Sequence, residues 1–442
     1  MKSFTTDAER HAYAVVLALQ KAGYAAYFAG GAVRDRLLGL PPEDVDVATD
    51  CPPDQTARLF ARTAAVGKAF GVTLVKHDDA PPTEVARFRT DGPYGDGRRP
   101  DWVRPATAEE DVQRRDFTIN GLLYDPVADR LLDLVGGEAD LRAGLVRAIG
   151  DAERRFAEDR LRLFRAVRFA ARFDFRIEPT TWKALASHAS DVAELAPERV
   201  REELTRLLAA PHAGRGLTLL RDAGLLDVWL PEVKAMDGVA QPPGYHPEGD
   251  VFTHTALLLD ALDEPTPSLA WGALLHDVGK PPTAAVKDGQ PTFPRHAAVG
   301  AQIADAVCRR LNFANDEREQ VTALVSEHMR FLDYPEMRPS TRRRFLALPR
   351  FTEHLELHRA DCLASHGQLD TYDAVRAELA QTPEPALPPP LIGGDDLIAW
   401  GYTPGPQFSV ILDAARTRQL DGELLDADAA KRWVLAQWPL DK

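Results

Sequence analysis

The chain has 442 residues, 45% of them hydrophobic, and a formal net charge of −14 at pH 7. At roughly 150 residues per domain the length predicts about three domains, and the apolar content is ample for the cores of a soluble globular protein. No apolar run approaches the roughly 20 residues of a membrane span, and the acidic balance excludes a protein that coats nucleic acid indiscriminately. The three scattered cysteines indicate a reducing cytoplasm rather than a disulfide framework or a CxxC metal site.

The first predicted elements belong to an α/β unit. Residues 6–22 predict an amphipathic helix, and residues 27–28 predict the end of a short buried strand. One or two helical turns are predicted for residues 32–40, directly after the pair Gly30 and Gly31. Glycines at such a position let backbone N–H groups approach a triphosphate closely.

Two aspartates follow with the spacing of a strand. Asp44 and Asp46 alternate with Val45 and Val47, which is a two-residue period. Side chains two positions apart on a strand point to the same face, so both carboxylates project into one space. Two acids held that close repel each other and favour a divalent cation, and such a ligand set suits Mg²⁺. The pattern predicts a metal that bridges nucleotide phosphates and an attacking hydroxyl.

Further elements of the same unit are predicted downstream. A helix is predicted for residues 52–65, and strands are predicted for residues 72–77 and 84–89. Glu84 at the start of the last strand is either a third acid near the metal or a carboxylate at the sheet edge. Residues 89–104, RTDGPYGDGRRPDWVR, are dominated by glycine, proline and charge, which predicts a mobile loop.

The spacing GG-x-x-RD-x-LLG-x-x-x-x-D-x-D at residues 30–46 resembles the signature of class II tRNA nucleotidyltransferases, the CCA-adding enzymes and their poly(A) polymerase relatives. Alone, a glycine pair or a DxD pair often matches by chance, whereas the two in this order are far more specific. The resemblance implies a head domain of the polymerase-beta type, in which Asp44 and Asp46 hold Mg²⁺. It also implies that Gly31 and Arg34 touch the triphosphate.

The family resemblance extends to the strand and the loop that follow. It places a glutamate beside the two aspartates in the strand that carries Glu84, and a flexible loop where residues 89–104 lie. Family members that add only CC lack or shorten that loop. A complete loop therefore implies an enzyme able to add the terminal A.

The segment RRDFTIN at residues 114–120 matches the second family motif. Adjacent Arg114 and Arg115 ahead of a packing Phe117 predict one guanidinium directed inward and one outward. An inward arginine suits a triphosphate or a ribose, because its fork donates two hydrogen bonds. The match implies that Arg115 contacts the nucleotide, and the alternative is a solvated basic turn. Residues 131–137, LLDLVGG, resemble the hinge motif that ends the head.

Residues 158–173, EDRLRLFRAVRFAARF, predict one helix with charged residues along a single face. Asp159, Arg162, Arg165, Arg168 and Arg172 recur every three or four residues, which by itself also fits a solvated basic face. The match to the family motif EDxxRxxR implies a protein template that reads the incoming base. It also implies that Arg165 and Arg168 complete a cationic cup around the triphosphate.

A pairing of Asp159 with Arg162 would explain how one site accepts two bases. Cytosine and adenine both present an amino donor beside a ring-nitrogen acceptor, while guanine and uracil present the reverse. A carboxylate only accepts hydrogen bonds and a guanidinium only donates them. The pair would therefore accept C and A and reject G and U without a nucleic-acid template.

The second half of the chain carries histidines and acids in the order of a metal site. HDVGK follows an apolar run and resembles the HD phosphohydrolase superfamily, whose ligand order predicts His254, His276, Asp277 and Asp361 as ligands. Neighbouring His and Asp supply nitrogen and oxygen ligands from one helical turn, suited to a transition metal or Mg²⁺. The alternative is a core packed with buried histidines.

A second metal at this centre could be held by His296 and His328. The HD domain is predicted to hydrolyse phosphoesters, such as 2′,3′-cyclic phosphates at damaged RNA ends. Retained ligands do not establish activity, because some relatives use the domain only to grip RNA. A tail follows, with helices predicted at residues 395–400, 407–418 and 427–437.

Together these patterns predict a multidomain α/β and all-α protein. Its parts are a nucleotidyltransferase head at residues 1–150 with a mixed sheet and helices, a helical neck and body at 151–235, a helical HD domain at 236–382 and a helical tail at 383–442. The predicted reaction, in the cytoplasm, is Mg²⁺-dependent transfer of CMP and AMP from CTP and ATP to the 3′ end of tRNA. The alternatives are an A-only or CC-only enzyme, a poly(A) polymerase, or an HD phosphohydrolase whose head only binds RNA. The oligomeric state is left open.

Overall fold

The computed structural model describes residues 4–42, 44–66, 71–78, 80–93, 101–242, 244, 246–381 and 387–440. The chain forms two compact units, of which the first comprises Met1–Lys234 with Arg310–Asn312 and the second Ala235–Arg309 with Phe313–Lys442. The finer division into four domains stays a prediction. Across the described ranges, no helix is both long and apolar enough to cross a membrane.

The first unit is built on a mixed sheet. The strands of the protein are β1 (Ala26–Ala29), β2 (Asp46–Thr49), β3 (Thr63–Val66), β4 (Val72–Val75), β5 (Thr83–Arg87), β6 (Arg89–Asp91), β7 (Val103–Pro105), β8 (Leu123–Asp125), β9 (Arg130–Leu132), β10 (Leu145–Val146), β11 (Arg176–Ile177), β12 (Ala285–Lys287) and β13 (Gln290–Thr292). Seven of them form one sheet in the order β3-β4-β5-β2-β1-β8-β9. Its β2 and β5 are parallel, and the other neighbours are antiparallel. The predicted head architecture is confirmed.

The register of this sheet brings acidic residues of neighbouring strands together. On β1, Ala29 lies opposite Asp46 of β2, and the chain then runs directly into the glycine pair. On the other side, Val47 of β2 pairs with Val85 of β5. Asp46 and Glu84 each precede a member of this pair on parallel strands, so their backbones are neighbours.

Helices surround the sheet and form the rest of the first unit. They are α1 (Asp7–Lys21), α2 (Gly31–Leu37), α3 (Pro53–Leu59), α4 (Ala108–Gln113), α5 (Gly137–Ala143), α6 (Ala152–Glu158), α7 (Leu161–Arg172), α8 (Pro179–Ser187), α9 (Pro197–Leu208), α10 (Ala213–Asp222), α11 (Leu225–Trp229) and α12 (Pro231–Lys234), with 3₁₀ turns at Thr118–Asn120 and Ala189–Glu194. The predicted first helix is confirmed. Thr6 caps it by accepting from the Glu9 N–H, and Val15 and Leu19 are buried beneath it.

Two element predictions in the head are wrong. The helix predicted for residues 52–65 ends at Leu59, and β3 follows because it pairs along its length with β4. Tertiary pairing outweighs local pattern there. The segment at residues 89–104, predicted as a loop, contains the antiparallel strands β6 and β7. Residues 94–100 within that predicted loop lie outside the described residues.

The helix predicted for residues 158–173 is confirmed as α7, but it begins at Leu161 because Glu158 ends α6 and the helix is interrupted at Asp159. Asp159 between them is extended, with φ −143° and ψ 101°. Its carboxylate accepts from the Leu161 N–H at 3.2 Å, and its carbonyl accepts from the Arg162 N–H at 3.0 Å. Aspartate competes for backbone donors in this way and favours helix starts over helix interiors. Asp159 of the motif therefore lies between α6 and α7, and Arg162, Arg165 and Arg168 lie on α7.

Among the residues of the second unit that the structure describes, the regular elements are helices and the short hairpin β12–β13. Its helices are α13 (Val251–Asp260), α14 (Pro267–Leu275), α15 (Lys280–Thr283), α16 (His296–Arg310), α17 (Asn315–Glu327), α18 (Pro339–Leu346), α19 (Phe351–Ala364), α20 (Asp370–Gln381), α21 (Gly394–Ala399), α22 (Gln407–Asp421) and α23 (Ala427–Gln437), with a 3₁₀ segment at His328–Glu336. α14 is buried throughout most of its length because α13, α17 and α19 pack around it. The three tail helices are confirmed and share a small core around Leu397, Ile411 and Val434.

Candidate functional site

Three carboxylates lie together on the head sheet. Asp44 precedes β2, Asp46 is its first residue and Glu84 lies on β5. All three are exposed, whereas Val45 and Val47 are buried, which is the alternation expected of the segment. Partial loss of hydration, followed by the charges of Glu84 and Asp44, raises the pKa of Asp46 to about 6, although Arg115 opposes the rise. A carboxylate whose pKa is raised in part by like-charged neighbours suits a divalent cation.

The three acids form a looser set than a three-ligand cluster. In the described part of the chain, the groups of three or more ligand side chains with donor atoms within 4.8 Å of one another all belong to the second unit. Glu84 acts on Asp46 through its charge. Glu84 therefore lies near the two aspartates without completing a three-ligand cluster with them.

The glycine pair brings backbone close to two arginines. Gly30 has a φ of +67°, in the left-handed region that glycine alone adopts readily. A Cβ on Gly30 would lie 3.3 Å from Nη1 of Arg115, and one on Gly31 would lie 3.4 Å from Nη2 of Arg34. The missing side chains leave room for these guanidinium groups at the entrance to α2.

A cavity of about 520 Å³ opens beside Asp46. It brings together Asp46 and all the residues predicted to bind the nucleotide, which are Gly31, Arg34, Arg115, Asp159, Arg162, Arg165 and Arg168. The other lining residues are Gly30, Arg114, Asp116, Asn120, Leu161, Phe169, Arg172 and Arg199. Asp44 and Glu84 are outside the lining. Arginines outnumber aspartates on its wall, so the cavity suits a polyanion.

Asp116 connects two of these arginines. Its Oδ2 accepts from Nη2 of Arg165 at 2.5 Å, and its Oδ1 accepts from the Asn120 amide at 3.1 Å. Oδ1 of Asn120 in turn accepts from Arg34 at 2.6 Å. Burial acts to raise the pKa of Asp116, but Arg165 outweighs it and the pKa falls to about 2. Sequence reasoning missed Asp116 and Asn120, although both lie in RRDFTIN with the four-residue spacing of a helical pair.

Glu203 on α9 holds the next arginine of the cavity. Nε of Arg168 donates to Glu203 at 2.7 Å, and both side chains are more than nine-tenths buried. Nη1 of Arg165 lies 3.8 Å from the other oxygen of Glu203. The ring of Phe169 packs under the same guanidiniums, with Arg168 at 4.4 Å from its centroid and Arg165 at 5.4 Å. Only the packing of α9 on α7 reveals this partner.

The predicted pair of Asp159 and Arg162 is not formed. Arg162 is buried and donates to Glu158 at 3.1 Å and to the carbonyl oxygens of Arg155 at 2.9 Å and Arg114 at 3.0 Å. Asp159 instead pairs with Nη2 of Arg199 at 3.3 Å. The backbone at Asp159 is extended and its carboxylate accepts from the Leu161 N–H, so Asp159 precedes α7 and the i,i+3 relation of a continuous helix does not apply.

The predicted inward and outward split of Arg114 and Arg115 is also wrong. Both guanidiniums bind one buried carboxylate, Asp111, with Nη2 of Arg114 at 2.7 Å and Nη2 of Arg115 at 3.0 Å. Burial raises the pKa of Asp111, but the two arginines outweigh it and the pKa lies below its ordinary value. Both arginines line the cavity. The spacing of three and four residues from Asp111 is the signal that would have predicted this arrangement.

A second site lies in the helical unit. His254 of α13, His276 at the end of α14 and Asp361 of α19 place one ligand atom each within 4.8 Å of one another. Nε2 of His254 lies 3.0 Å from Oδ1 of Asp361. The Nε2 atoms of His254 and His276 are buried without a hydrogen-bond partner. Orphaned imidazole nitrogens beside a carboxylate fit a metal ion of the nitrogen- and oxygen-binding kind.

The fourth predicted ligand, Asp277, belongs to a neighbouring group. Its ligand atom lies within 4.8 Å of those of His296 and His328, and all three residues are buried. Oδ2 of Asp277 is 3.1 Å from Nε2 of His276 and 2.6 Å from Nζ of Lys280. Asp277 therefore lies between the two groups, an arrangement that could hold two ions with this carboxylate between them.

Protonation at this centre depends on the same contacts. Burial lowers the pKa of His254, but the carboxylates of Asp361 and Glu248 outweigh it and raise the pKa to about 9. Burial and then the charge of His276 lower the pKa of His328 to about 4. Neutral imidazole is the form that binds a metal, so an ion must displace a proton from His254, whereas His328 is already neutral.

A cavity of about 430 Å³ gives access to this centre. Its floor includes Asp277 and Asp361, and its wall includes Phe293, Met329 and Leu332. Leu332 is 67% exposed. The cavity therefore combines a metal-binding floor with an apolar wall, which suits an ester with a polar centre and an apolar or flat substituent.

Family models match three segments of the chain. They are the poly A polymerase head domain at residues 26–147, the probable RNA and SrmB-binding site of polymerase A at residues 174–237, and the HD domain at residues 249–364. The matches cover the head sheet, the helices that follow α7 and the helical unit with the histidines.

Some known proteins are similar to about half of the chain, and others are similar to nearly all of it. A Geobacillus stearothermophilus CCA-adding enzyme is 41% identical over 223 residues, 50% of this chain and 54% of that protein. A Deinococcus radiodurans A-adding tRNA nucleotidyltransferase is 34% identical over 429 residues, 92% of this chain and 94% of the relative. The crystal structure of a Bacillus stearothermophilus CCA-adding enzyme in complex with CTP superposes with a TM-score of 0.77 and 27% identity, covering 98% of each chain.

The alignments with the first curated relatives span only about half of the length of those relatives. The Deinococcus relative and the crystal structure, in contrast, match from head to tail. Together with the order of the three family segments, these matches confirm the resemblance found in the motifs. The chain belongs to the family of class II tRNA nucleotidyltransferases, the CCA-adding enzymes and their poly(A) polymerase relatives, and it carries an HD domain.

Proposed function

We propose that the head transfers CMP and AMP from CTP and ATP to the 3′ hydroxyl of tRNA, completing the CCA end in the cytoplasm. The observation that carries the proposal is the arginine-lined cavity, which combines Asp46, the glycine pair and the arginines of the family motifs. A full-length relative that acts on tRNA and a solved relative with bound CTP support the substrate class.

In this proposal Asp44 and Asp46 hold Mg²⁺, with Glu84 as a supporting acid. Bound Mg²⁺ supplies a Lewis acid that lowers the pKa of the attacking hydroxyl and neutralises charge on the phosphates. Burial, followed by the charges of Glu84 and Asp44, raises the pKa of Asp46, and a cluster of carboxylates of this kind fits such an ion. Exposure of both aspartates leaves room for water and phosphate oxygens in the metal's shell.

The other residues of the cavity bind and orient the nucleotide. Gly31 and Arg34 are proposed to contact the triphosphate at the start of α2, where no side chain intrudes. Arg115, Arg165 and Arg168 complete the cationic surface. Each guanidinium already has an acid that fixes its position. Groups fixed before substrate arrives stabilise developing charge without reorganising during the reaction.

Base selection is proposed to rest on Asp159 as the acceptor for the amino group of C or A. Arg162 is the proposed donor to the ring nitrogen, and both line the cavity. In the arrangement described above, Arg199 competes for Asp159 and Glu158 for Arg162. Base reading therefore requires the Asp159 carboxylate to exchange Arg199 for the base.

The direct test supplies tRNA that lacks its CCA end with CTP alone, ATP alone, or both, and sizes the products. We expect two residues added with CTP alone and three with both nucleotides. Asp46→Ala is the matched negative control and should add none. Failure of the wild-type chain to extend any tRNA end with either nucleotide would refute the proposal.

A second candidate is addition of the terminal A alone. It is favoured by one observation, the match of 92% of this chain to an A-adding relative. The same experiment separates the two, because an A-only enzyme extends tRNA ending in CC with ATP and does nothing with CTP on tRNA that lacks all three residues.

For the helical unit we propose a divalent metal centre that hydrolyses phosphoesters, with His254, His276, Asp277 and Asp361 as ligands. The orphaned Nε2 atoms of the two histidines support it. His296 and His328 are proposed to complete a second position beside Asp277. Hydrolysis of bis-p-nitrophenyl phosphate with Mn²⁺, Co²⁺, Ni²⁺ or Mg²⁺ tests the activity, and loss in Asp277→Ala is expected. An inactive but metal-binding centre would instead support a role in gripping RNA.

A further inference from the structure

A buried glutamate beside the histidine centre is not explained by any predicted ligand set. Glu248 lies just before α13, and its side chain is only 8% exposed. Asp250, two residues later, caps α13 by accepting from the Thr253 N–H at 2.7 Å and also accepts from the Gly238 N–H at 2.6 Å. These bonds fix the backbone that carries Glu248 at the start of the helix that bears His254.

Glu248 uses one oxygen to hold two imidazoles. Its Oε1 lies 2.7 Å from Nδ1 of His254 and 2.9 Å from Nδ1 of His246. A carboxylate is acceptor-only, so each of the two Nδ1 atoms is the protonated, donating nitrogen. With one proton held on Nδ1 by Glu248, the neutral form of His254 presents Nε2 as the nitrogen that can bind an ion. That Nε2 is buried and lies 3.0 Å from Oδ1 of Asp361.

We propose that Glu248 is the positioning residue of this metal centre. It selects the tautomer of His254 that presents Nε2 to the ion, and it holds the ring in the orientation that brings Nε2 beside Asp361. Through the same oxygen it anchors His246, which lines the cavity above the metal-binding floor. The inference rests on the proposed metal centre of the helical unit and adds a residue outside the predicted ligand set.

A separate metal ion bound by His246, Glu248 and His254 is the competing interpretation, because their ligand atoms also lie within 4.8 Å of one another. The distances favour hydrogen bonds. Both nitrogens meet the same oxygen within the ordinary N–H···O range. A metal ion there would also take the Nδ1 of an imidazole whose Nε2 already faces a second group of ligands.

The test measures metal binding as well as turnover. Co²⁺ is titrated calorimetrically into the full-length chain carrying Asp44→Ala and Asp46→Ala, so that the head acids do not contribute. Loss of an outer hydrogen-bond partner of a metal-binding histidine typically weakens metal affinity about 10–100-fold. We expect that increase in Kd for Glu248→Ala and a smaller one for Glu248→Gln, whose amide oxygen still accepts from Nδ1. The visible spectrum of bound Co²⁺ should shift in Glu248→Ala.

The matched control is Glu378→Gln. Glu378 is a carboxylate of the same unit that accepts from the hydroxyl of Tyr334 at 2.7 Å. This variant should bind Co²⁺ as the parent does. An unchanged Kd in Glu248→Ala, or an equal loss in the control, would overturn the proposal. Absence of Co²⁺ binding in the parent would refute the metal centre itself, so the two failures are distinguishable.

A second measurement needs no folded Glu248→Ala protein. In the Zn²⁺-loaded full-length chain labelled with ¹⁵N-histidine, the imidazole signals lost in His254→Gln identify His254. We expect its proton on Nδ1 and its metal on Nε2. Metal coordination through Nδ1 would contradict the role proposed for Glu248.

Discussion

At the residue scale, the carboxylates of the head divide into two kinds. Asp111, Asp116 and Glu203 are buried against arginines, and their hydrogen bonds fix the guanidiniums that line the cavity. Asp44 and Asp46 are the second kind, and burial followed by the charges of Glu84 and Asp44 raises the pKa of Asp46. The acids that bind arginines shape the anion site. Asp44 and Asp46, in contrast, are stabilised only when a cation neutralises their charge.

The specificity of the site is expected to depend on Asp159. Replacing it in Asp159→Ala removes the carboxylate proposed to accept the amino group of C or A. A correct base contact contributes roughly 1–3 kcal/mol of discrimination. We therefore expect slower addition of C and A and a narrower advantage over U and G, whose oxygens still suit Arg162. The measurement is kcat/KM for the four nucleotides.

Two matched variants complete this experiment. Arg115→Ala, next to the glycine pair, should weaken all four nucleotides about equally, because its proposed partners are phosphate or sugar. Arg199→Ala frees Asp159 from its ion pair and should preserve the preference for C and A. Equal losses for all four nucleotides in Asp159→Ala would show that the residue caps α7 and does not read bases.

Metal binding by the head should depend on pH through Asp46. Its raised pKa of about 6 means that the metal-free chain carries a proton there below pH 6, and Mg²⁺ must displace it. The apparent Kd for Mg²⁺ should rise by about tenfold per pH unit below 6 and stay level above it, as expected for release of one proton. Calorimetry between pH 5 and 8 in an Asp277→Ala background tests this.

Asp46→Asn is the control for that titration. This variant should bind Mg²⁺ weakly, and its apparent Kd for Mg²⁺ should not rise below pH 6. A wild-type profile that is flat across the range would show that Asp46 is not the proton-linked ligand.

At the element scale, helix packing rather than helix periodicity positions the cavity. The arginines of α7 do share a face, as predicted, but α9 supplies Glu203 and the break before α7 supplies Asp159. Burial of Arg168 and Glu203 is tolerable because each neutralises the other. The junction of α6 and α7 thus moves the start of the predicted helix from Glu158 to Leu161.

Removing the buried acid of α9 should destabilise the first unit. Glu203→Ala leaves Arg168 buried without its carboxylate, and breaking a buried pair by removing one partner typically costs about 3–5 kcal/mol. The neighbouring Glu202 is exposed, so Glu202→Ala should change the free energy of unfolding by less than about 0.5 kcal/mol. Urea unfolding followed by circular dichroism compares the two, and equal effects would contradict a structural role for the Arg168 pair.

At the scale of the whole molecule, the two candidate metal sites belong to different compact units and share no ligand. A substitution that destroys one metal site should therefore leave the activity of the other site unchanged. Asp46→Ala should abolish nucleotide addition and spare any phosphoesterase activity, while Asp277→Ala should do the reverse. Loss of nucleotide addition in a folded Asp277→Ala protein would contradict two separate active sites.

The sequence by itself determined the family, the mixed sheet of the head, the helical second half and the residues that converge on the cavity. These follow from signals that lie within a short window. Asp44 and Asp46 share a strand face, the arginines of α7 share a helix face, and His276 is adjacent to Asp277. Short-range periodicity and motif spacing carry that information because local geometry repeats every two or 3.6 residues.

Only the tertiary structure decided which charges pair. Asp159 meets Arg199 across 40 positions, Arg165 meets Asp116 across 49, and Arg168 meets Glu203 across 35. No period links such residues, since their separation reflects how helices and turns pack. Asp159 shows the physical reason most directly. Its carbonyl accepts from the Arg162 N–H and its carboxylate from the Leu161 N–H, so Asp159 precedes α7, and the same carboxylate pairs with Arg199 of α9.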